Sequence, residues 1–259
     1  MMGLLKKLIP VIMILSIFIM IVSCGFGGKP EPRLSMFIGV DISGSFIKGK
    51  YFDDSIDFLA HYIYAHLNGY DGLDVPNVLF VGSIGGEKKD EPKTLYPISD
   101  FENKSIDEIR AQLKKSFPNN KFNPFTDYNA FFDQIARTVR DRNLILKPIS
   151  IVMISDGIPD VPTGDKKTAD FEDIIVKPLE LLARNITIRL LYTDAVVGKD
   201  WQTKVKRKRV KIWTQDATVM KSWNNPNILI PDTAFAKQER FFNWIKDNVD
   251  FGVRSHRVD

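Results

Sequence analysis

The sequence predicts an α/β protein: a doubly wound, mostly parallel sheet flanked by helices, with strand order 3-2-1-4-5-6. Three observations carry this. From Leu34 onward, strand-like runs alternate with segments of helical periodicity. The runs MFIGV, ISIVMI and TIRLLY are nearly continuous in apolar and β-branched residues, as strands buried on both faces are. The chain has 259 residues, 44% of them apolar and 26% charged, enough to bury a full core without disulfide or metal staples.

SMFIGVDI is the first strand. The next segment places Phe52, Ile56, Leu59, Ile63 and Leu67 at helical spacing. NVLFVGSI is a strand, and TLYPISDF a short one. SIDEIRAQLKKS reads as a helix, because Ser105 precedes Glu108 by three residues, the spacing of a capping box. After the polar loop FPNNKFNPFTDY comes the helix NAFFDQIARTVRDR, then the strand PISIVMISDG. FEDIIVKPLELLAR is expected to be a helix kinked near Pro178. ITIRLLYTD and RVKIWTQDATVM are strands, the second bent, and AFAKQERFFNWIKDNV is the last helix.

The N-terminus has the three-part layout of an export signal: basic MMGLLKK, uncharged LIPVIMILSIFIMIV, then small and polar SCGFGGKPEPR. The apolar run is short for a spanning helix, which needs about 20 residues. IVSC, Ile21 to Cys24, resembles the bacterial lipobox, which implies cleavage before Cys24 and acylation of its thiol. Cys24 is the only cysteine, so the folded part has no disulfide. The chain divides into a signal peptide at 1–23, a Gly- and Pro-rich lipidated tether at 24–33 and one domain at 34–259. The expected location is the cell envelope: the protein is lipid-anchored on the extracytoplasmic side, at the outer membrane if there is one.

The net charge of +4 includes Lys6 and Lys7 of the signal, so the domain is too mildly basic to argue for nucleic acid. The run KVKRKRVK, Lys204 to Lys211, reads first as a solvated loop and a charged edge strand. Contact with anionic lipid or an acidic partner is its sharper reading. Trp201, Trp213 and Trp223 are taken as packing residues. VGSIGGEKK lacks the Gly-Lys-Ser/Thr ending of a phosphate loop, and no Gly-x-Ser-x-Gly elbow occurs. His61, His66 and His256 are not at ligand spacing, which leaves zinc without support.

The candidate site begins where the first strand ends in a carboxylate and two hydroxyls, Asp41, Ser43 and Ser45. Asp156 ends the fourth strand. In the predicted order those two strand ends flank the point where the sheet reverses direction, the usual ligand crevice. Oxygen-only ligands suit Mg²⁺, Mn²⁺ or Ca²⁺. Each residue also has a plain explanation: Asp41 and Ser43 as turn formers, Thr126 or Asp127 as a helix cap, Asp156-Gly157 as a turn.

DISGS, Thr126 in NPFTDYNAFF and Asp156 in SDGIPD, in that order, resemble the metal-ion-dependent adhesion site of the von Willebrand factor type A (vWA) family, whose fold is Rossmann-like. The resemblance covers essentially the whole domain. It implies that Asp41, Ser43, Ser45, Thr126 and Asp156 hold one Mg²⁺ or Mn²⁺, the hydroxyls directly and the aspartates through water. It further implies a binding protein, not an enzyme, whose partner protein offers an Asp or Glu carboxylate to the ion. The competing reading is a metal-assisted hydrolase of phosphate or acyl esters, for which Asp127 and Asp160 are the nearby candidate bases.

Overall fold

A computed structural model of the chain describes residues 31–88, 91–121, 123–161 and 168–250. Residues 1–30, which include the segments expected to be a signal peptide and tether and Cys24, lie outside the described residues, as do residues 162–167 after Asp156. Among the described residues no helix is long and apolar enough to cross a membrane.

From Arg33 on, the chain forms one compact unit. It is built on a six-stranded sheet ordered β4-β2-β1-β6-β7-β8. The strands are β1 (Leu34–Val40), β2 (Pro76–Ser83), β4 (Leu95–Pro97), β6 (Ile149–Ile154), β7 (Ile186–Thr193) and β8 (Val210–Asp216). All neighbours are parallel except β2 and β4. Counted within this sheet alone, the order reads 3-2-1-4-5-6. The extra strands are β3 (Gly85–Gly86) and β5 (Phe125–Thr126), which form a separate antiparallel ribbon.

The alternation along β1 shows why the sheet is covered twice. Met36, Ile38 and Val40 enter one core, while Phe37 enters the other. The first core packs under α2 (Phe52–Asn68), α3 (Ile106–Ser116) and α7 (Glu239–Asn248). The second packs under α4 (Tyr128–Asp141) and α5 (Ala195–Thr203). Gly39 is needed on the second face: a Cβ there would stand 2.7 Å from the Phe131 ring. Phe131 itself is fully buried, and its truncation to alanine should cost about 3–5 kcal/mol.

Helix α3 begins with the expected capping box, Ser105 and Glu108 each bonding the other's backbone amide. Helix α4 is capped by Asp127, whose carboxylate accepts from the Ala130 amide (2.9 Å).

Three segments differ from expectation. FEDIIVKPLELLAR is not an α-helix: a short 3₁₀ turn at Phe171–Asp173 gives way to turns around Pro178. The run Ile174-Ile175-Val176 favours extended backbone, and Pro178 pushes Lys177 out of the helical region. The stretch read as a bent strand ends at Asp216, which caps a four-residue helix, α6 (Ala217–Met220). Helix α7 starts at Glu239, later than the pattern suggests, after a 3₁₀ turn at Phe235–Lys237. Helix α5 carried no sequence expectation. Two valines and a mid-helix glycine lower its propensity, and Asp194 starts it by accepting from the Val196 and Val197 amides (2.7 and 2.9 Å).

Candidate metal site

β1 and β6 are adjacent and parallel, with Val40 beside Ile154, so their carboxyl ends open together at the reversal point. Asp41 is the first residue past β1 and is fully buried. One carboxylate oxygen accepts from the Ser43 amide (2.8 Å), the other from the Ser155 hydroxyl (2.5 Å). Burial is the main force on this carboxyl; the neighbouring Asp156 adds to it, and the hydrogen bonds only partly offset both. Its pKa is pushed up to about 7.

Ser43 caps the short helix α1 (Gly44–Ile47) and lies 3.1 Å, oxygen to oxygen, from Ser45. Asp156 follows β6 by two residues. Its carboxylate accepts from the Ile158 amide (3.1 Å) and is also held by Ser45. Burial raises its pKa, and the charges of Asp160 and Asp194 raise it further, against the pull of those two hydrogen bonds. Gly157 turns the chain there with φ 85°, and a Cβ would meet Val197 at 2.7 Å, so glycine is required twice over.

Thr126 arrives from the other side on the β3–β5 ribbon, opposite Gly85. The Ser43–Asn123 bridge and the bond from the Asn123 amide to the Ile42 carbonyl (2.8 Å) fasten its loop to the end of β1. The Thr126 side chain is buried, and its hydroxyl donates to Asp160 (3.1 Å). Hydrogen bonds therefore link Asp41, Ser43, Ser45 and Asp156, and separately Asp160 and Thr126, with the Asp156 and Asp160 charges close enough to act on each other. Asp127, beside Thr126, faces its own helix as a cap.

Two members of this cluster carried no sequence expectation. Ser155 is fully buried. Its hydroxyl oxygen lies 2.7 Å from the Tyr128 hydroxyl and accepts from the Gly157 amide (2.9 Å) while donating to Asp41. The only signal for it was a hydroxyl residue between a buried strand and the candidate aspartate. Tyr128 reads in sequence as one more aromatic residue of an amphipathic helix.

Beside Ser45 and Asp156 opens a cavity of about 290 Å³. Tyr51, Tyr192, Asp194 and Asp216 contribute to its walls. Tyr192 occupies the left-handed region (φ 74°) where the β7–β8 register shifts. Its ring is buried and its hydroxyl donates to Asp54 (2.8 Å), which holds a conformation costly for a bulky residue.

No group of three His, Cys, Asp or Glu side chains is placed to hold a metal ion among the described residues. A cation here would depend on hydroxyls. The donor set fits a hard cation: three neutral hydroxyls, two carboxylates of raised pKa, and no ion pair on Asp41, Asp156 or Asp160 among the described residues.

No protein-family model matches the chain, and no curated protein does. Solved structures similar to it include the proximal thread matrix protein 1 of the mussel byssus, at 10% identity and TM-score 0.46. That match covers 73% of this chain and 46% of the byssus protein, so this chain spans about half of its length. The human COPII-coat protein Sec24c matches at 8% identity and TM-score 0.42, over 73% of this chain and 32% of that one. The SpRpn10 VWA domain matches at 14% identity and TM-score 0.39, over 71% and 88%.

Proposed function

We propose that the protein is a lipid-anchored, extracytoplasmic binding module. Its site takes one Mg²⁺ or Mn²⁺ and, through it, an Asp or Glu carboxylate of a partner protein. The observation that carries this reading is Asp41: a fully buried carboxylate beside Asp156, with hydroxyls around it and no cationic side chain paired to it among the described residues. Such a cluster resists holding its charge, and a divalent cation removes the difficulty.

Ser43, Ser45 and Thr126 would contact the ion; Asp41 and Asp156 would hold its bound waters and balance part of its charge. The ion supplies attraction for one more anionic oxygen. Neutral hydroxyls leave that attraction largely unspent, which is why a partner carboxylate suits the open side. The cavity next to Ser45, with Lys50, Asp194 and Asp216 in its walls, gives the partner's neighbouring side chain a place to enter.

Binding is the stronger reading than hydrolysis. Asp127 is engaged as the cap of α4, and Asp160 receives the Thr126 hydroxyl, so each candidate base already has a partner. The test is capture of envelope proteins on the immobilised protein in Mg²⁺, in chelator, and with Thr126→Ala. Retention only in the first condition supports the proposal. A partner retained equally in all three would show that the site is not the binding surface.

A further inference from the structure

We infer that the amino ends of β6, β7 and β8 form a second interaction surface, one that lies against an anionic lipid bilayer. The face is remote from the candidate metal site, at the opposite ends of the same strands. Leu181 is 80% exposed, Leu146 71% and Ile145 46%. Single exposed apolar residues are ordinary on any surface. These three share one neighbourhood, because the Leu146 amide donates to the Leu182 carbonyl (2.8 Å). Leu146 also holds a left-handed backbone (φ 69°), costly for a leucine, yet its side chain gains little burial in return. Strain that packing does not reward points to use of the exposed side chain.

The charge around these residues is basic. Arg142, Lys147 and Arg184 lie on the turns that lead into β6 and β7, and Lys208 and Arg209 precede β8. The Lys208 amide donates to Glu180 (2.6 Å), which brings the basic run next to Leu181. None of these five cations is held in an ion pair among the described residues, though Arg142 stacks on the Phe80 ring (5.3 Å); the acids nearby are Asp141 and Glu180, with Glu172 paired to Lys206 and Asp250 paired to His66. Apolar side chains among cations that no ion pair holds match a bilayer boundary, where the apolar groups enter the acyl edge and the cations meet anionic headgroups.

The point where the chain enters the domain selects the bilayer over a protein partner. The Ser35 amide donates to the Pro148 carbonyl (2.9 Å), so Arg33 and Leu34 begin β1 beside the turn that carries Leu146 and Lys147. The nine residues Gly25–Arg33 can span at most about 30 Å. For its direction this inference rests on the anchoring reading above: a domain tethered through Cys24 would meet the membrane with this face and present the metal site away from it.

The experiment uses the full chain with a cysteine introduced at Leu181→Cys or, as the contrasting position, Val196→Cys. Val196 is 71% exposed and follows the carboxyl end of β7. An environment-sensitive dye is attached and the chain is added to vesicles of phosphatidylcholine, with and without phosphatidylglycerol. Sedimentation reports binding. Wild type is the control: a chain acylated at its single cysteine takes no dye. The expected result is that the dye at 181 shifts to the blue and loses most of its emission to a quencher in the lipid phase. The effect should be larger with phosphatidylglycerol and smaller in high salt, while the dye at 196 stays in water. A chain that sediments with vesicles while both dyes stay in water overturns the inference, keeps the anchor, and leaves the face to a protein contact. A chain that sediments with neither vesicle overturns anchor and surface together.

Discussion

Asp41 and Asp250 are carboxylates drawn into opposite ends of one sheet, and the protein treats them differently. At the amino ends of the strands, Asp250 accepts from the Tyr62 hydroxyl (2.7 Å) and pairs with His66 (2.9 Å). Arg189 approaches it too, and donates to its backbone carbonyl (3.3 Å). Burial alone would raise its pKa, but His66, Arg189 and Tyr62 together carry it below the ordinary value. Asp41 is buried more deeply, has hydroxyl and amide partners only, and rises to about 7. The protein supplies a cation at one end and withholds it at the other. A carboxylate compensated from within is structural; one without such compensation is where the proposed cation would be held.

Four outcomes test that contrast, in order of expected size. Asp250→Ala strands the buried His66 and weakens the hold on the partly buried Arg189, and should cost about 3–5 kcal/mol in urea unfolding. Mn²⁺ affinity, measured by calorimetry, should not change; if it falls with stability, the two ends are not independent. Asp41→Asn should do the reverse. Mn²⁺ affinity should drop tenfold or more, about 1.4 kcal/mol. Stability in chelator should hold or rise slightly, since a charge with no compensating cation has been removed. Equal affinity in wild type and variant would remove the metal assignment.

The third outcome is a pH dependence to which both ends contribute, since Asp41, raised to about 7, also loses stability as pH climbs from the unfolded carboxylate value to its folded one. Burial pulls the His66 imidazole down, but the charge and hydrogen bond of Asp250, aided by the Asp74 carbonyl, leave it above the ordinary histidine value. Its stabilising contribution is therefore full below the unfolded value of about 6.5 and is lost as pH rises through the folded one. Asp250, whose pKa is lowered, limits the other side: its contribution is present above the unfolded carboxylate value and disappears as pH falls through the folded one. Wild-type stability should fall with pH across this window and into mild alkali, and His66→Gln should reduce that slope while leaving the share carried by Asp41. An unchanged slope in the variant would mean that the pair does not carry it. The smallest effect belongs to the surface: Lys206→Ala, which breaks an exposed contact with Glu172 (3.0 Å), should cost about 0–0.5 kcal/mol and leave the Mn²⁺ titration as it was.

What could be read in advance follows the range of the physics. Alternation and apolar runs are local, and they gave the strands, the double covering of the sheet and the reversal point beside β1. The strand-end residues Asp41, Ser43 and Asp156 were legible because strand ends in this topology have one usual purpose. Ser155 was not: its role depends on Asp41, which lies 114 residues away. Nor did the sequence around His66 signal its ion pair, because its partner Asp250 is 184 residues distant. The helix expected across Pro178 shows the opposite error. Its local periodicity was real, but β-branched residues ahead of a proline outweighed it.

The place of β1 between β2 and β6 also bears on how the molecule comes into being. Ser35 pairs with Ile149 and Val40 with Ile154, so the second partner of β1 is made more than a hundred residues after it. Pairings this distant are slow to close. Until β6 docks, Asp41 has neither Ser155 nor Asp156 beside it. A chain truncated before β6 would therefore form α2 and much of its local structure, yet lack the groups proposed to hold a cation. Ion binding would then mark chains that have completed folding, and would appear as the last event in refolding kinetics.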